Sequence, residues 1–453
     1  MDYGLTISET EKLRSKIDWT AVEEEAAGLL SRYIQFDTTN PPGNERPAIE
    51  FLADVLVERG FTPEVIASAP GRANLITRLK GRAEAATRPC LLYAHADVVP
   101  ADPARWTLPP FGGHIQDGYV WGRGALDSKG LGIIFIQALT MLQQHSRPLD
   151  RDIVLLIAAD EEVSGRYGVA WLLDQHPDLI EAEYVWDEGG MGRRQADHYF
   201  YHIAIAEKIP LTVKLTALGT PGHASIPRLN NPQDRLVRAL YRLRQWPQPA
   251  RLTEPVVEML KTLASEYSFP HSVLFAHADK GVLWPILRGR LENHPLFSAL
   301  IRNTVNLTIL RGGEASNVVP GHAEATLDIR LLPGEDPDLF LSALRSIIGD
   351  PYISIEAEPL PPTQVKTPLN TEFYRALVET LRSHGPKGPI MPYLTPGATD
   401  SRYFRAAGMK AYGFMPMLLD DHELGRIHGV DERLSLANLG WGIQVVYETL
   451  SKL

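Results

Sequence analysis

The chain has little cysteine, no excess of positive charge and no long apolar run, and each shortage excludes a class of protein. One cysteine, Cys90, among 453 residues excludes an internal disulfide and a cysteine-rich zinc site, so a bound metal would need histidine and carboxylate ligands. The net charge of -10, without a basic run, argues against nucleic acid and membrane surfaces as partners. There is no run of about 18 apolar residues and no apolar signal region near the N-terminus, so we expect a cytoplasmic protein.

What is present is the composition of a globular protein of two or three domains, with 44% hydrophobic residues. Up to about residue 205, predicted strands alternate with helices, as in layered α/β folds whose sites gather beyond the strand C-termini. The order then becomes β-α-β-β-α-β, typical of a ferredoxin-like unit, with an excursion from Pro249 to Asn303. We predict an α/β domain formed by 1–206 and 361–453, with an α+β domain inserted at 207–360.

An apolar strand, predicted from Ile153 to Ala159, runs directly into three carboxylates, Asp160, Glu161 and Glu162. Adjacent acids repel one another, so either a cation holds them or they are open to water. A metal-assisted hydrolase needs a carboxylate ligand beside a carboxylate base, and a pair of glutamates supplies both from one rigid point. Taken alone, such a pair is more often a solvated turn after a strand.

Other acids and histidines also follow apolar strands. In YAHADVVP, His95 and Asp97 are two residues apart and project to one face of an extended chain, which suits a metal-binding histidine oriented by a carboxylate. Asp127 of GRGALDSKG precedes a helix and could equally be its N-cap. The candidates in YVWDEGG and RIHGVDERL are Asp187, Glu188 and His428. Two imidazoles with three or four carboxylates form a ligand set suited to zinc, with cobalt or manganese as substitutes.

In this order and at these separations, YAHADVVP, WGRGALDSKG, AADEEVSG, DEGG, GTPGHAS, GATDSR and HGVDER resemble the di-zinc amidohydrolases of metallopeptidase clan MH. That family includes glutamate carboxypeptidase, aminoacylase, acetylornithine deacetylase, succinyl-diaminopimelate desuccinylase and carnosine dipeptidase. The resemblance covers about residues 20 to 450. It implies a zinc-peptidase-type catalytic α/β domain, an inserted ferredoxin-like domain that serves as a lid, two Zn²⁺ per chain, and a homodimer or higher oligomer formed through that lid.

The resemblance also implies a set of metal ligands. They are Asp127 as the bridge between both ions, His95 and Glu188 for one ion, and Glu162 and His428 for the other. Asp187 stays an alternative to Glu188, because family members vary between the two acids. His422 is the rival of His428, which is favoured because the family's last histidine typically precedes x-x-Asp-Glu.

The remaining implied roles concern catalysis and substrate binding. Glu161 would be the general base, Asp97 the partner of His95, and the peptide bond after Asp127 would be cis. His223 of GTPGHAS would stabilise the tetrahedral oxyanion in a neighbouring subunit. The residues implied to bind the substrate or line its pocket are Arg330, Asn317, Thr399, Asp400 and Arg402.

The predicted function is therefore hydrolysis of an amide or peptide bond adjacent to a carboxylate-bearing residue, by attack of a metal-bridging hydroxide, as in a carboxypeptidase or dipeptidase. The alternative is an aminoacylase-like N-acyl-amino-acid deacylase, because the same catalytic residues serve both reactions. The substrate would be a small molecule, either a short peptide or an N-acyl amino acid. The excursion from Pro249 to Asn303 could shape an apolar pocket or an oligomer contact, and the sequence does not distinguish these.

Overall fold

The structure is a computed structural model that describes residues 17–82, 87–358 and 365–453. Contacts between residues divide the chain into two units. The first comprises the described residues up to His202 together with Leu369–Ile390 and Met409–Leu453, and the second comprises Ile203–Pro368 and Met391–Gly408. The inserted domain was predicted at 207–360, and the second unit includes in addition Met391–Gly408, which the sequence analysis placed in the main domain.

Helices and strands run through the described residues, and the strand predicted from Ile153 to Ala159 spans Ile153–Ala158. In chain order the helices are α1 (Trp19–Ile34), α2 (Arg46–Glu58), α3 (Lys129–Gln144), α4 (Val169–Gln175), α5 (Pro177–Ile180), α6 (Pro232–Gln245), α7 (Glu254–Leu263), α8 (His271–Ala276), α9 (Trp284–Leu291), α10 (Pro295–Leu300), α11 (Pro337–Ile348), α12 (Glu372–His384), α13 (Ser401–Ala406), α14 (Asp421–Leu424) and α15 (Leu436–Leu450). The strands are β1 (Glu64–Ala69), β2 (Arg72–Leu79), β3 (Cys90–His95), β4 (His114–Gln116), β5 (Tyr119–Trp121), β6 (Ile153–Ala158), β7 (Tyr184–Gln195), β8 (His198–Glu207), β9 (Ile209–Leu218), β10 (Gly222–His223), β11 (Thr304–Gly312), β12 (Val318–Val319), β13 (His322–Leu331), β14 (Ile353–Ala357), β15 (Ile390–Thr395), β16 (Lys410–Leu419) and β17 (Arg433–Ser435).

The first unit is built on a mixed sheet whose central strands are parallel. The full strand order is β1-β2-β6-β3-β7-β16-β8-β15, and the chain passes into the second unit within β8 and β15. Strand β3 pairs in parallel with both β6 and β7, and β7 pairs in parallel with β16. Every residue of β3 and β6 is buried, which is why these strands read as continuous apolar runs. Their carboxyl ends meet at one edge, and the polar residues that follow them meet there as well.

The second unit contains a four-stranded antiparallel sheet in the order β11-β13-β9-β14. In chain order within this unit that is 2-3-1-4, the arrangement of a ferredoxin-like fold, and helices α6 and α11 pack together over its apolar face. The burial of β13 alternates along the strand, so that Leu327 and Ile329 face the core while Asp328 and Arg330 face the other side. The predicted α/β fold with an inserted ferredoxin-like unit is confirmed.

The excursion predicted from Pro249 to Asn303 forms helices α7 to α10 within the second unit. Lys208 anchors its end, since the buried Nζ donates hydrogen bonds to the backbone oxygens of Ala299 and Arg302 at 3.1 and 3.0 Å. Among all described helices of the chain, none combines the length and the apolar character needed to cross a membrane.

Candidate metal centre

Five side chains from separate segments of the first unit meet at the carboxyl edge of the parallel strands. They form two groups of three, each compact enough to hold one metal ion, and no further group of this kind occurs in residues 17–82, 87–358 and 365–453. The first ligand group is His95, Asp127 and Glu188; the second ligand group is Asp127, Glu162 and His428. Asp127 belongs to both groups, as expected of a bridging ligand.

The distances within these groups are those of ligand atoms that converge on a shared point. In the first ligand group, Nε2 of His95 lies 3.0 Å from Oδ1 of Asp127 and 3.4 Å from Oε2 of Glu188. In the second, Nε2 of His428 lies 3.1 Å from Oδ2 of Asp127 and 3.3 Å from Oε2 of Glu162. The two oxygens of Asp127 therefore face opposite histidines, one in each group.

Both histidines of the centre, and the acids Glu162 and Glu188, have raised pKa values, whereas the neighbouring histidines lower the pKa of Asp127. Burial raises the pKa of Glu188 to about 7, and the charge of Asp127 adds to this effect. Hydrogen bonds with Asp127 and then with Glu162 raise the pKa of His428 to about 10. Burial works to lower the pKa of His95, but the charge of Glu188 and the hydrogen bond with Asp127 raise it well above its ordinary value. Clustered carboxylates thus draw positive charge to this point, and a divalent cation would supply it while displacing the protons.

The donor set fits divalent metal ions on two further grounds. In the described part of the chain, Oε1 of Glu162 is buried and has no hydrogen-bond partner, as expected of an oxygen reserved for an ion. Two imidazoles and three carboxylates form the mixed nitrogen and oxygen set that zinc, cobalt and manganese accept. One ring in the centre, His428, is half exposed at 52%, so the second ligand group opens towards solvent.

Asp97 is fully buried, and most of its contacts differ from those expected. Its carboxylate accepts the backbone N–H groups of Glu161 and Glu162, both at 3.1 Å, so it fixes the turn that carries the two glutamates. Nδ1 of His95 lies 2.9 Å from the backbone oxygen of Asp97 and 3.5 Å from its carboxylate. The tautomer of His95 is thus set first by the Asp97 carbonyl.

The third acid after strand β6, Asp160, belongs to a separate network of hydrogen bonds. Its Oδ1 accepts from Arg72 and from Asn40, both at 3.0 Å, and its Oδ2 accepts from the hydroxyl of Ser164 at 2.8 Å. Asp160 has φ of +69°, a left-handed conformation that turns the chain directly after the strand. Asn40 also donates to Asp97 at 2.8 Å, so one amide holds both buried acids.

Two buried residues near the centre, Glu432 and Arg123, were not predicted from the sequence. Glu432 accepts hydrogen bonds from Arg123 and from the backbone N–H groups that precede and include Asp127. The signal was present, because the acid is part of the HGVDER motif, but its partners lie about three hundred residues away in the chain.

The alternatives left open by the sequence take distinct positions. Asp187 is buried, and its Oδ1 accepts the N–H of Glu188 at 2.6 Å, whereas the Glu188 side chain belongs to the first ligand group. His422 lies in the short helix α14, where its Nδ1 is 3.7 Å from Glu423. The peptide bond between Asp127 and Ser128 is cis, and Ser128, not Asp127, occupies the N-cap position of α3.

The predicted substrate residues lie in the second unit. His223 and Asn317 are neighbours, since the N–H of Ala224 donates to the backbone oxygen of Asn317 at 2.9 Å. Nδ1 of His223 accepts the N–H of Ser225 at 3.2 Å, so in the neutral ring Nε2 carries the proton. Arg330 forms a fork onto Asp328 of its own strand, with Nε and Nη2 at 2.9 and 2.8 Å from the two carboxylate oxygens.

The GATDSR segment is held by a buried acid that sequence reasoning also missed, Glu207. Its Oε2 accepts the N–H and the hydroxyl of Thr399 at 3.1 and 2.9 Å. Arg402 is buried, and its guanidinium donates to the backbone oxygen of Thr399 at 3.0 Å and lies 3.6 Å from Asp400. These three predicted residues therefore form one internally bonded turn.

Comparison with known families and proteins agrees with the chemistry of the centre. The family described as Peptidase family M20/M25/M40 matches residues 91–452. The chain is 32% identical to N-fatty-acyl-amino acid synthase/hydrolase PM20D1 of Xenopus tropicalis, over 77% of this chain and 69% of that protein. It is 31% identical to probable carboxypeptidase S-like 2 of Dictyostelium discoideum, over 81% and 71%, and 28% identical to aminoacylase-1 of Sus scrofa, over 95% and 96%.

Solved structures share the fold at low sequence identity. The M20 family metallo-carboxypeptidase Sso-CP2 from Sulfolobus solfataricus superposes with a TM-score of 0.74 at 19% identity, covering 94% of this chain and 98% of that chain. Human carnosine dipeptidase 1 superposes with a TM-score of 0.69 at 14% identity, covering 96% and 97%. The YXEP protein of Bacillus subtilis, described as a dinuclear metal binding peptidase, reaches 0.59 at 14% identity and covers 95% and 98%.

Proposed function

Because this chain belongs to peptidase family M20/M25/M40 and is a hydrolase, we propose that it cleaves an amide or peptide bond next to a residue with a free carboxylate. The membership that seven sequence motifs predicted is thereby confirmed. The observation that carries the proposal is the pair of ligand groups that share Asp127. A carboxylate shared by the two groups could hold two metal ions close together, as the sites of two-metal hydrolases do.

We propose that the two ligand groups hold two Zn²⁺ ions, for which Co²⁺ or Mn²⁺ can substitute. His95 and Glu188 would complete the coordination of one ion, Glu162 and His428 that of the other, and Asp127 would contribute one oxygen to each. Elemental analysis of the purified protein should give about two metal ions per chain. A chain that binds no metal under any loading condition would contradict the proposal.

Glu161 would be the general base. When bound, the two cations supply Lewis acidity that polarises an amide carbonyl and makes a water molecule more acidic. The Glu161 carboxylate would take the proton from that water and return it to the nitrogen of the leaving amine. The position of Glu161 supports this role, because its backbone is fixed by Asp97 beside the ligand Glu162.

The base is tested with the variant Glu161→Gln and the matched variant Glu162→Gln of the adjacent residue. We expect Glu161→Gln to keep about two metal ions and to lose roughly 10²- to 10⁴-fold in kcat. Glu162→Gln should instead bind the metal of the second ligand group more weakly. If Glu161→Gln turns over substrate near the wild-type rate, Glu161 is not the base.

For substrate recognition we propose that Arg330 binds the free carboxylate. Its fork onto Asp328 supports this role, because Nε and Nη2 already present the two parallel N–H groups that a carboxylate needs. The turn containing Thr399, Asp400 and Arg402, with Asn317, would line the same pocket. The substrate carboxylate would take the place of Asp328 on the guanidinium.

We propose that His223 stabilises the oxyanion of the tetrahedral intermediate. Its Nδ1 accepts from Ser225, which leaves an N–H at Nε2 as a donor, and the ring is exposed. If the ring acts in a neighbouring subunit, mixing inactive His223→Ala with inactive Glu161→Ala should restore part of the activity. An absence of rescue after exchange of subunits would confine His223 to its own chain.

The acyl side of the substrate separates two candidate reactions. Hydrolysis of N-acyl amino acids is favoured by the names of similar proteins, N-fatty-acyl-amino acid synthase/hydrolase and aminoacylase-1, while carboxypeptidase S-like 2 favours peptides. A panel of dipeptides, N-acetyl amino acids and long-chain N-acyl amino acids that share one C-terminal residue would rank the acyl groups directly. A preference of at least tenfold in kcat/KM for the long acyl chains would identify an N-acyl-amino-acid hydrolase, and the reverse order a dipeptidase or carboxypeptidase.

We also propose that two copies of the chain pair through the second unit. Strand β11 is an edge strand whose Leu307, Ile309 and Leu310 are exposed, and α6 exposes Val237 and Tyr241. A groove of about 710 Å³ is lined by residues of both elements, so they form one face. Sedimentation should show a dimer that Leu310→Lys dissociates, whereas an unchanged mass would exclude β11 as the contact.

Finally, we propose a cytoplasmic location. The thiol of Cys90 is buried and free, and burial raises its pKa to about 12, so it behaves as part of the core. Cell fractionation of the tagged chain would test this proposal, and recovery in a membrane or extracellular fraction would contradict it.

A further inference from the structure

Glu432 is a buried acid near the metal centre, and the proposed catalytic and metal-binding roles do not include it. It is fully buried, and its two oxygens accept four hydrogen bonds. Oε2 accepts from Nη1 of Arg123 at 2.6 Å and from the N–H of Gly124 at 3.1 Å. Oε1 accepts from the N–H groups of Leu126 and Asp127 at 2.8 and 3.1 Å.

These bonds join two of the three chain segments that carry ligands of the second group, those of Asp127 and His428. Asp127 ends one segment, and the other is the loop from His428 to Glu432. Two further hydrogen bonds go to backbone oxygens of this loop. The N–H of Gly122 donates to the backbone oxygen of Glu432 at 2.9 Å, and Nη2 of Arg123 donates to that of Gly429 at 2.8 Å. Glu432 and Arg123 therefore connect the segment of Asp127 to the loop of His428.

We infer that Glu432 is the positioning residue that fixes His428 against Asp127 and thereby sets the affinity of the second ligand group for its metal. The inference rests on the proposed function, because it assumes that the group binds an ion. His428 needs such support for two reasons: its side chain is half exposed, and its backbone has φ of +58°, a conformation that few side chains favour. A ligand on an unsupported loop would lose order and bind its metal more weakly.

The substitution Glu432→Gln tests the inference. Gln has the same size, but either orientation of its amide turns an NH₂ group towards two N–H donors. The first ligand group keeps His95 and Glu188, which lie on strands, whereas the second depends on the clamped loop. We expect the second equivalent of Co²⁺ to bind about 10- to 100-fold more weakly and the first to change by less than about threefold.

A matched control is available in the neighbouring residue. Asp431 also has a left-handed backbone, with φ of +57°, but its carboxylate accepts from the N–H and hydroxyl of Thr107 and not from the Asp127 segment. Asp431→Asn should keep both Co²⁺ affinities within about threefold of wild type, since Asn tolerates this conformation. Arg123→Lys keeps the positive charge but cannot donate to both Glu432 and Gly429 as the guanidinium does. It should therefore also weaken binding of the second Co²⁺ equivalent, by a smaller factor than Glu432→Gln.

The experiment is a Co²⁺ titration of the metal-stripped protein, followed by visible absorption and by competition with a chelator. Weak binding of the second equivalent by Glu432→Gln, with kcat restored at saturating metal, supports a positioning role. Wild-type affinity for both equivalents in Glu432→Gln overturns the inference, and so does an equal loss in Asp431→Asn. If Glu432→Gln does not fold, Arg123→Lys decides in the same way. If the wild type itself fails to bind two equivalents, the proposed function has failed rather than this inference.

Discussion

The substitution Asp97→Asn tests which part of the metal centre this buried carboxylate supports. Oδ1 accepts the N–H of Glu161 and Oδ2 that of Glu162, both at 3.1 Å, while His95 lies nearer to the Asp97 backbone oxygen than to its carboxylate. The carboxylate therefore supports the turn of the proposed base Glu161 more than it supports the candidate ligand His95. We expect the variant to lose turnover while it keeps its metal.

The size of the effect follows from the hydrogen bonds. Asn40 donates to Oδ2 at 2.8 Å, so the one remaining oxygen of Asn at position 97 must stay on that side. The new NH₂ group then faces the N–H of Glu161, and a buried donor without an acceptor costs about 1–3 kcal/mol. If about 2 kcal/mol of this cost appears in the barrier, kcat falls roughly 30-fold. His95 keeps its carbonyl partner, so metal affinity should fall less than about tenfold.

The assay measures two quantities on the same preparation: the dissociation constants for Zn²⁺ by competition with a chromophoric chelator, and kcat at saturating Zn²⁺. Asp152→Asn is the matched control, because Asp152 precedes the same strand β6 at its other end and accepts from Gly81 and Arg78. The control should change neither quantity by more than about threefold. A loss of about 100-fold in Zn²⁺ affinity with normal kcat would show that the carboxylate acts through His95, as the sequence suggested, and would refute this reasoning.

Two further predictions concern pH and substrate charge. The pKa of His428 is raised to about 10, and a metal binds only the neutral imidazole. Calorimetry in two buffers should therefore show proton release on metal binding, and the metal affinity should increase between about pH 6 and 9. A metal affinity that does not change with pH would contradict this. In the metal-free protein the sign is opposite, since the stabilising contribution of His428 is complete below about pH 6.5 and is lost as the pH rises through about 10. Arg330→Ala should raise KM at least about tenfold for substrates with a free carboxylate and much less for their amides. The control is Glu324→Gln on the same strand as Arg330, which breaks an ion pair with Lys214 and should not discriminate between the two kinds of substrate.

Much of the fold was predictable because the central strands β3 and β6 are buried on both faces. Short apolar runs bounded by turn residues, such as those of β3 and β6, are typical of strands that are buried on both faces. The assignment of Met391–Gly408 to the second unit was not predictable. This assignment depends on contacts between residues far apart in the sequence, such as the hydrogen bond between Glu207 and Thr399, which are 192 residues apart. Hydrophobic periodicity carries no information about such contacts.

The candidate ligands were implied by the family resemblance, and the strand pattern accounts for part of this set. His95, Glu162 and Glu188 each lie at or just beyond the buried part of a parallel strand, so the sheet brings them together. The supporting residues were not predictable. Arg123 and Glu432 are 309 residues apart, and each alone reads as a charged residue in a polar loop.

The three acids after strand β6 show why residue type alone does not assign a role. Asp160, Glu161 and Glu162 are adjacent and share one chemistry, yet their surroundings divide them. Asp160 is compensated by the buried Arg72, and Glu162 retains a buried oxygen that has no hydrogen bond within the described residues. Arg72 already pairs with Asp160 and Glu45, so the partner of Glu162 is His428 of its own ligand group, at 3.3 Å. A divalent cation that displaced the proton of His428 would take over this balance, and the proposed base Glu161 would then lie beside the ion.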